Sequence, residues 1–119
     1  MSFLYLGSPY SKYPAGLDAA FEEICRVAGE FARAGIPAYS PIAHTHPITK
    51  AAAIDPYDHS IWLPFDKPMM EAARALVIVK MAGWVDSYGL TQERLFFEAE
   101  CKPVHFFDPK TLLLDGTPL

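Results

Sequence analysis

Hydrophobic and polar positions alternate along this chain in blocks that predict strands and helices in turn. Phe3 to Leu6 is a short apolar run rich in β-compatible side chains and closed by Gly7-Ser8-Pro9, which predicts a first strand entering a Gly/Pro loop. From Pro14 to Ala34 apolar residues recur at Leu17, Phe21, Ile24, Val27, Ala28 and Phe31, the spacing of an amphipathic helix stopped by Gly35. Ile36 to Tyr39 predicts a second strand, reached by a right-handed crossover. From Ser40 to about Trp62 the periodicity fades and Pro41, Pro47 and Pro56 interrupt the chain, so a long loop is expected there. A helix beginning near Asp66 and carrying Met69, Met70, Ala72 and Ala73 follows. Leu76 to Met81 is apolar enough for a central strand. The segment from Ser87 to Cys101 predicts a helix with Leu90, Phe97 and Cys101 inward and Glu93 and Arg94 on the flanks. Val104 to Phe107 predicts a fourth strand, and the tail from Lys110 to Leu119 carries Leu112, Leu113 and Leu114, which must pack on the sheet or on a second subunit.

Strands alternating with helices predict an α/β fold, a three-layer α/β/α sandwich around a mainly parallel, flavodoxin-like sheet. In such a sheet ligands bind where strands deliver loops to helix N-termini, because free N–H groups and the helix dipole point there. Two loops qualify, the one after the first strand and the one from Lys80 to Tyr88. In the second, Ser87 suits an N-cap and Gly89 permits close approach to the backbone. With strands one and three as neighbours, Tyr5 to Ser8, the region of Asp66 and the segment from Ser87 to Glu93 surround one crevice.

Composition narrows the function classes. The chain has 119 residues, 51% of them hydrophobic, enough for a single domain over residues 1–119 with a real core. A formal net charge of −4 without a cluster of Lys or Arg argues against a nucleic-acid polymer as partner. Met1 to Gly7 is too short and lacks a basic flank for a signal peptide or anchor, so a cytoplasmic protein without a membrane partner is expected. Cys25 and Cys101 fall in predicted helices without the close pairing of a metal or redox motif and are expected as buried free thiols. His44, His46, Asp55, Asp58 and His59 match no zinc spacing, and the expected role of these groups is to line a substrate-covering loop. Asp66, read alone, is a helix N-terminal carboxylate, and Glu93, read alone, a solvated flank residue. Tyr10 and Tyr13 serve either to stack on a base or to cover the start of the first helix. No motif implies a metal or a cofactor.

The order Leu4-Tyr5-Leu6-Gly7-Ser8, then Phe65-Asp66 before a helix and strand, then Ser87-Tyr88-Gly89-Leu90-Thr91-Gln92-Glu93 with Ala99 behind it, resembles the nucleoside 2-deoxyribosyltransferase superfamily, and within it a small uncharacterised branch. The resemblance spans the first strand to the fourth. It implies that Glu93 is the nucleophile toward an anomeric carbon, that Tyr5 orients it, and that Asp66 contacts or protonates the departing base, a chemistry suited to an oxocarbenium-like transition state. The transferases carry an aspartate for the sugar 5′-hydroxyl where this chain has Ser87; in this the chain is similar to the deoxynucleoside 5′-monophosphate N-glycosidases, because Ser at a helix N-terminus accepts a phosphate that Asp would repel. The resemblance therefore implies a small-molecule nucleoside or nucleotide ligand held by Gly7, Ser8, Tyr10, His44, Trp84, Ser87 and Gly89, and a homodimer or larger homo-oligomer. The His-rich stretch and Trp84 match neither group. A non-catalytic nucleotide-binding or sensor domain is the alternative, and a protein-interaction module, displaying its apolar tail with Trp62 and Trp84, the third reading.

Overall fold

The computed structural model describes residues 2–119. Its order is β1 (Leu4–Gly7), α1 (Leu17–Arg33), β2 (Ala38–Tyr39), α2 (Pro41–Ala52), α3 (His59–Ala72), β3 (Ala75–Val79), a 3-10 turn (Trp84–Asp86), α4 (Tyr88–Ala99), β4 (Val104–Asp108), β5 (Leu113–Leu114) and β6 (Thr117–Pro118). The strands form one sheet in the order β2-β1-β3-β4-β5-β6. The first four are parallel, and β5 and β6 continue antiparallel from β4. The fold is α/β, as the alternation of elements predicts.

Strands β1 and β3 are buried along their whole length, which is why both read as unbroken apolar runs. Their alternating side chains divide the core in two. Leu4, Leu6, Val77 and Val79 face Ala20, Ile24, Val27 and Phe31 of α1, with Ile42 of α2 beside them. Tyr5, Leu76 and Ile78 face Met70 of α3 and Leu90 and Phe97 of α4. The three layers follow from this period of two.

Helix α1 starts at Leu17 rather than Pro14, because Tyr13 and Gly16 close successive turns and Gly16 takes φ 96°, which a right-handed helix cannot include. Between Ser40 and Trp62 the structure corrects the expected loop: this stretch is helix α2, a short connection, and the first turn of α3. Ser40 caps α2 by accepting the Ala43 N–H at 3.1 Å, and Pro41 occupies the first turn, where its missing N–H costs nothing. Pro47 lies inside α2 and removes one helical hydrogen bond, but Ile42, His46 and Thr49 still turn inward and secure the helix by packing. Helix α3 begins at His59, capped by Asp58, and tolerates Pro64 and Pro68 on its exposed face, where water can satisfy the carbonyls that lose a donor. Asp66 is therefore in the middle of a helix and not at its N-terminus.

The tail packs back on the sheet. Asp115 accepts the Phe106 N–H at 2.9 Å and returns its own N–H to the Phe106 carbonyl, while Leu114 and Leu119 cover the α1 side of the core. The thiols also depart from expectation. Cys25 is half-buried in α1, and Cys101 is exposed, beyond the end of α4, with φ 54°. No helix of the described residues is long and apolar enough to cross a membrane.

Candidate active site

The parallel pairing of β1 with β3, Leu4 opposite Ala75 through Gly7 opposite Ile78, places the carboxyl ends of these strands side by side. On the α3/α4 face, Tyr5 of β1 and Tyr39 of β2 are cross-strand partners with ring centroids 5.8 Å apart. Two residues beyond Tyr5, Gly7 turns the same way. A Cβ there would meet Leu90 Cδ1 at 2.6 Å, Glu93 Oε1 at 3.0 Å and Leu76 Cδ1 at 3.1 Å. Only a missing side chain lets α4 lie this close to β1, and the approach brings the Glu93 carboxyl against the strand. Across the sheet ends, Gly83 takes φ 89° and a Cβ on it would meet the Lys12 carbonyl oxygen at 2.2 Å, so the loops after β1 and β3 are fitted backbone to backbone.

Four titratable groups meet in this crevice. Glu93 is half-buried as a residue, but its carboxyl end is enclosed; burial and then the neighbouring Asp66 charge push it up to about 8, against the lowering effect of the Tyr5 hydroxyl. The Tyr5 phenol is pushed far above its ordinary value, chiefly by burial and then by Glu93. Although near enough to Glu93 to favour its ionised form, the Tyr5 hydroxyl is not aligned in a formed hydrogen bond with any group. Asp66 is raised to about 6 by burial, and its Oδ1 is buried without a partner. Tyr39 is pushed up to about 12 by burial and then by the charge of Asp66. Lys67 of α3 shares a groove with Glu93, whereas two other nearby cations are engaged elsewhere. Arg94 pairs with Glu98 at 3.4 Å, and the Lys102 ammonium donates to the carbonyls of Met70 and Glu71 at 3.1 and 2.6 Å.

Glu93 also borders a groove of about 580 Å³ between α3 and α4, lined by Pro64, Lys67, Met70, Gln92, Leu95 and Phe96. This mostly apolar cleft, with the Glu93 carboxyl and the Lys67 ammonium as its charged groups, has the size and lining to take a flat organic ligand. Sequence reading did not find it, because its walls come from helical residues about thirty positions apart. In the sequence Tyr39 is only the end of a predicted strand; its pairing with Tyr5 in the parallel register is the signal that brings it to the crevice.

The remaining predicted residues fall in several places. Ser8, directly after Gly7, keeps a buried hydroxyl with no partner. Ser87 is buried and caps α4, accepting the Leu90 N–H at 3.3 Å, and a Cβ on Gly89 would meet nothing within 4 Å, so open space borders the helix start. His44 lies on α2, exposed, with Nδ1 3.0 Å from the Tyr39 hydroxyl and its ring stacked on Phe65. Tyr10 turns to the α1 side of the core and bonds the Nδ1 of buried His46. Trp84 packs edge-to-face on Phe106, beside a separate small cavity on the β4 side of α4. Tyr5, Asp66, Glu93, Gly7 and, through Tyr39, His44 are thus brought together, whereas Tyr10 and Trp84 lie apart from them. Among the described residues no three His, Cys, Asp or Glu side chains gather into a metal-binding set.

The sequence matches the profile of DUF1937, a domain of unknown function, over residues 2–108, and the chain belongs to that family. No curated protein matches it.

Proposed function

We propose that this protein breaks or transfers the N-glycosidic bond of a nucleoside or nucleotide, in the manner of a deoxynucleotide N-glycosidase, with Glu93 as nucleophile. The observation that carries this reading is the enclosed Glu93 carboxyl, held against Gly7 beside Tyr5, free of Arg94 and Lys102, and opening on a groove. A solvated flank glutamate would have none of these features. In the proposed reaction a Glu93 oxygen bonds to the anomeric carbon as the carbon–nitrogen bond breaks, and the departing nitrogen takes a proton from Asp66. Water then attacks the glycosyl ester, gives its proton to Asp66, and frees Glu93; a second base in place of water gives transfer. Tyr5 steadies the carboxylate. Ser87 and the first turn of α4 receive the 5′-phosphate, with room left by Gly89.

Raised pKa values on both carboxyls bear on the proton inventory. Between pH about 6 and about 8 the pair holds one proton; the raised values favour it on Glu93, and the productive arrangement, with it on Asp66, is the minor form that turnover would draw on. Base release should accordingly follow a bell with limbs near these values, its optimum between them. The same numbers support a second reading. With Glu93 carrying the proton near neutrality, the crevice donates rather than attacks, which suits a nucleotide-binding or sensor domain.

The deciding experiment measures free base released from deoxynucleosides, their 5′-monophosphates and ribonucleotides, with Glu93→Ala as control. Release from monophosphates that vanishes in the variant establishes the glycosidase reading. Nucleotide binding without release from any substrate overturns it in favour of the sensor.

A further inference from the structure

Trp84 takes no part in the crevice around Glu93, yet it borders a cavity of its own. On the β4 side of α4 a space of about 210 Å³ is lined by Ile78, Trp84, Val85, Leu90, Thr91 and Arg94. Ile78 and Leu90 belong to the buried core, so the floor of the cavity is fixed and apolar. The Trp84 ring is set by edge-to-face packing on Phe106, with centroids 6.0 Å apart. The same Phe106 ring carries the Arg94 guanidinium, whose Cζ lies 5.4 Å from the ring centroid. One aromatic side chain of β4 therefore holds an indole and a cation at a single cavity.

Among the described residues no carboxylate lines this space, and Arg94 is its one charged group. The guanidinium has one ion pair among the described residues, from Nε to Glu98 at 3.4 Å, with both side chains about half exposed. An exposed pair one helical turn apart contributes little and is readily exchanged. The guanidinium keeps further N–H groups in a planar fork that fits both oxygens of a carboxylate. The Thr91 hydroxyl already donates to the Ser87 carbonyl at 2.9 Å, so the recognition of an anion falls to Arg94. A cation at the rim with hydrocarbon behind it is complementary to an anion that has an apolar body. A dry apolar cavity of about 150 Å³ holds a benzene ring, so the space here suits a carboxylate carried on one ring or on a short chain.

We propose that this cavity is a second binding site, for a small monocarboxylate, with Arg94 pairing the carboxylate and Ile78, Trp84, Val85 and Leu90 enclosing its apolar part. The site lies on the flank of α4 opposite the groove of Gln92, Glu93, Leu95 and Phe96, so its occupancy is independent of the proposed reaction.

Benzoate is the probe, followed by nitrogen-15 NMR of the full chain. The Trp84 indole N–H and Arg94 Nε–H signals, assigned with Trp84→Phe and Arg94→Gln, should shift with sodium benzoate and saturate at roughly millimolar concentration, beyond any effect of equal sodium chloride. Benzamide has the same shape without the charge and should bind about tenfold or more weakly. Arg94→Gln, at a half-exposed position whose spectrum reports its folding, should weaken benzoate by about the same factor and leave benzamide unchanged. Shifts that never saturate, equal affinity for benzamide, or benzoate binding that survives Arg94→Gln overturn the proposal. Saturable shifts confined to Lys67, Leu95 and Phe96 also overturn it, because they would place the anion in the groove between α3 and α4. Neither result bears on base release.

Discussion

The two faces of the sheet treat buried polar groups in opposite ways. Under α1 and α2, His46 is buried yet fully engaged: Tyr10 bonds one ring nitrogen, Asp18 the other at 2.9 Å, Phe21 stacks on the ring at 4.6 Å, and Lys50 reaches Asp18 at 2.6 Å. Under α3 and α4, Tyr5 and Asp66 keep buried oxygens without partners, as does Ser8 just beyond β1, and Glu93 has no ion pair among the described residues, though Lys67 lines its groove. Each unsatisfied group of this kind costs on the order of 1–3 kcal/mol. A face organised for stability alone would pair them or replace them with apolar side chains. The contrast teaches that one face joins helices through paired polar groups, while the other leaves Tyr5 and Asp66 without protein partners, as the proposed ligand-binding role requires.

Glu93→Gln is the sharpest way to break this contrast, because it should move function and stability in opposite directions. Amide for carboxylate removes the nucleophile and should reduce base release by about a thousandfold or more. Stability should rise at alkaline pH. A carboxyl whose folded value is raised from 4.5 to about 8 stabilises the fold below its ordinary range and loses that contribution as pH climbs through 8, since the folded state binds more protons in that window. Allowing for the open groove beside it, the variant should be more stable than the parent by roughly 1–3 kcal/mol at pH 9 and no more stable at pH 4. Chemical denaturation at the two pH values checks this; equal stability at both would mean that Glu93 is solvated after all.

The opposite face supplies the control. His46→Ala discards a stacked ring and leaves the Tyr10 hydroxyl without its acceptor, so it should cost about 2–4 kcal/mol of stability. Base release per folded molecule should be unchanged. A large loss of turnover in protein shown to be folded would remove the division of labour between the faces.

That division was only partly legible in the sequence. The buried strands and α1 announced themselves, because unbroken apolar runs and three-and-four spacing are direct consequences of burial on two faces and on one. Helix α2 did not, since Pro41 and Pro47 imitate a loop and its inward residues include His46 and Thr49, which read as polar surface. Asp66 enters only through a family resemblance, and the sequence places it at a helix start, because Pro64 and Pro68 hide the helix already running through it. The flank position of Glu93 was read correctly from the wheel, yet its enclosure depends on the absent side chain of Gly7, some eighty residues away, and no local pattern carries that information.

Ser87 gives the smallest and most discriminating test. Its hydroxyl oxygen caps α4 by accepting the Leu90 N–H, so Ser87→Ala should cost about 1 kcal/mol whether or not a ligand binds there. Ser87→Asp keeps the cap, since a carboxylate accepts the same N–H and meets the helix dipole favourably. Stability should then stay within about 0.5 kcal/mol of the parent. The added negative charge would repel a phosphate at the start of α4 while still accepting a hydrogen bond from a neutral 5′-hydroxyl. If the proposed orientation of the nucleotide is right, Ser87→Asp reverses the preference from monophosphate toward nucleoside without weakening the fold, as ratios of kcat/KM on the two substrates would show. An unchanged ratio in a stable variant would place the phosphate elsewhere and leave Ser87 a helix cap alone.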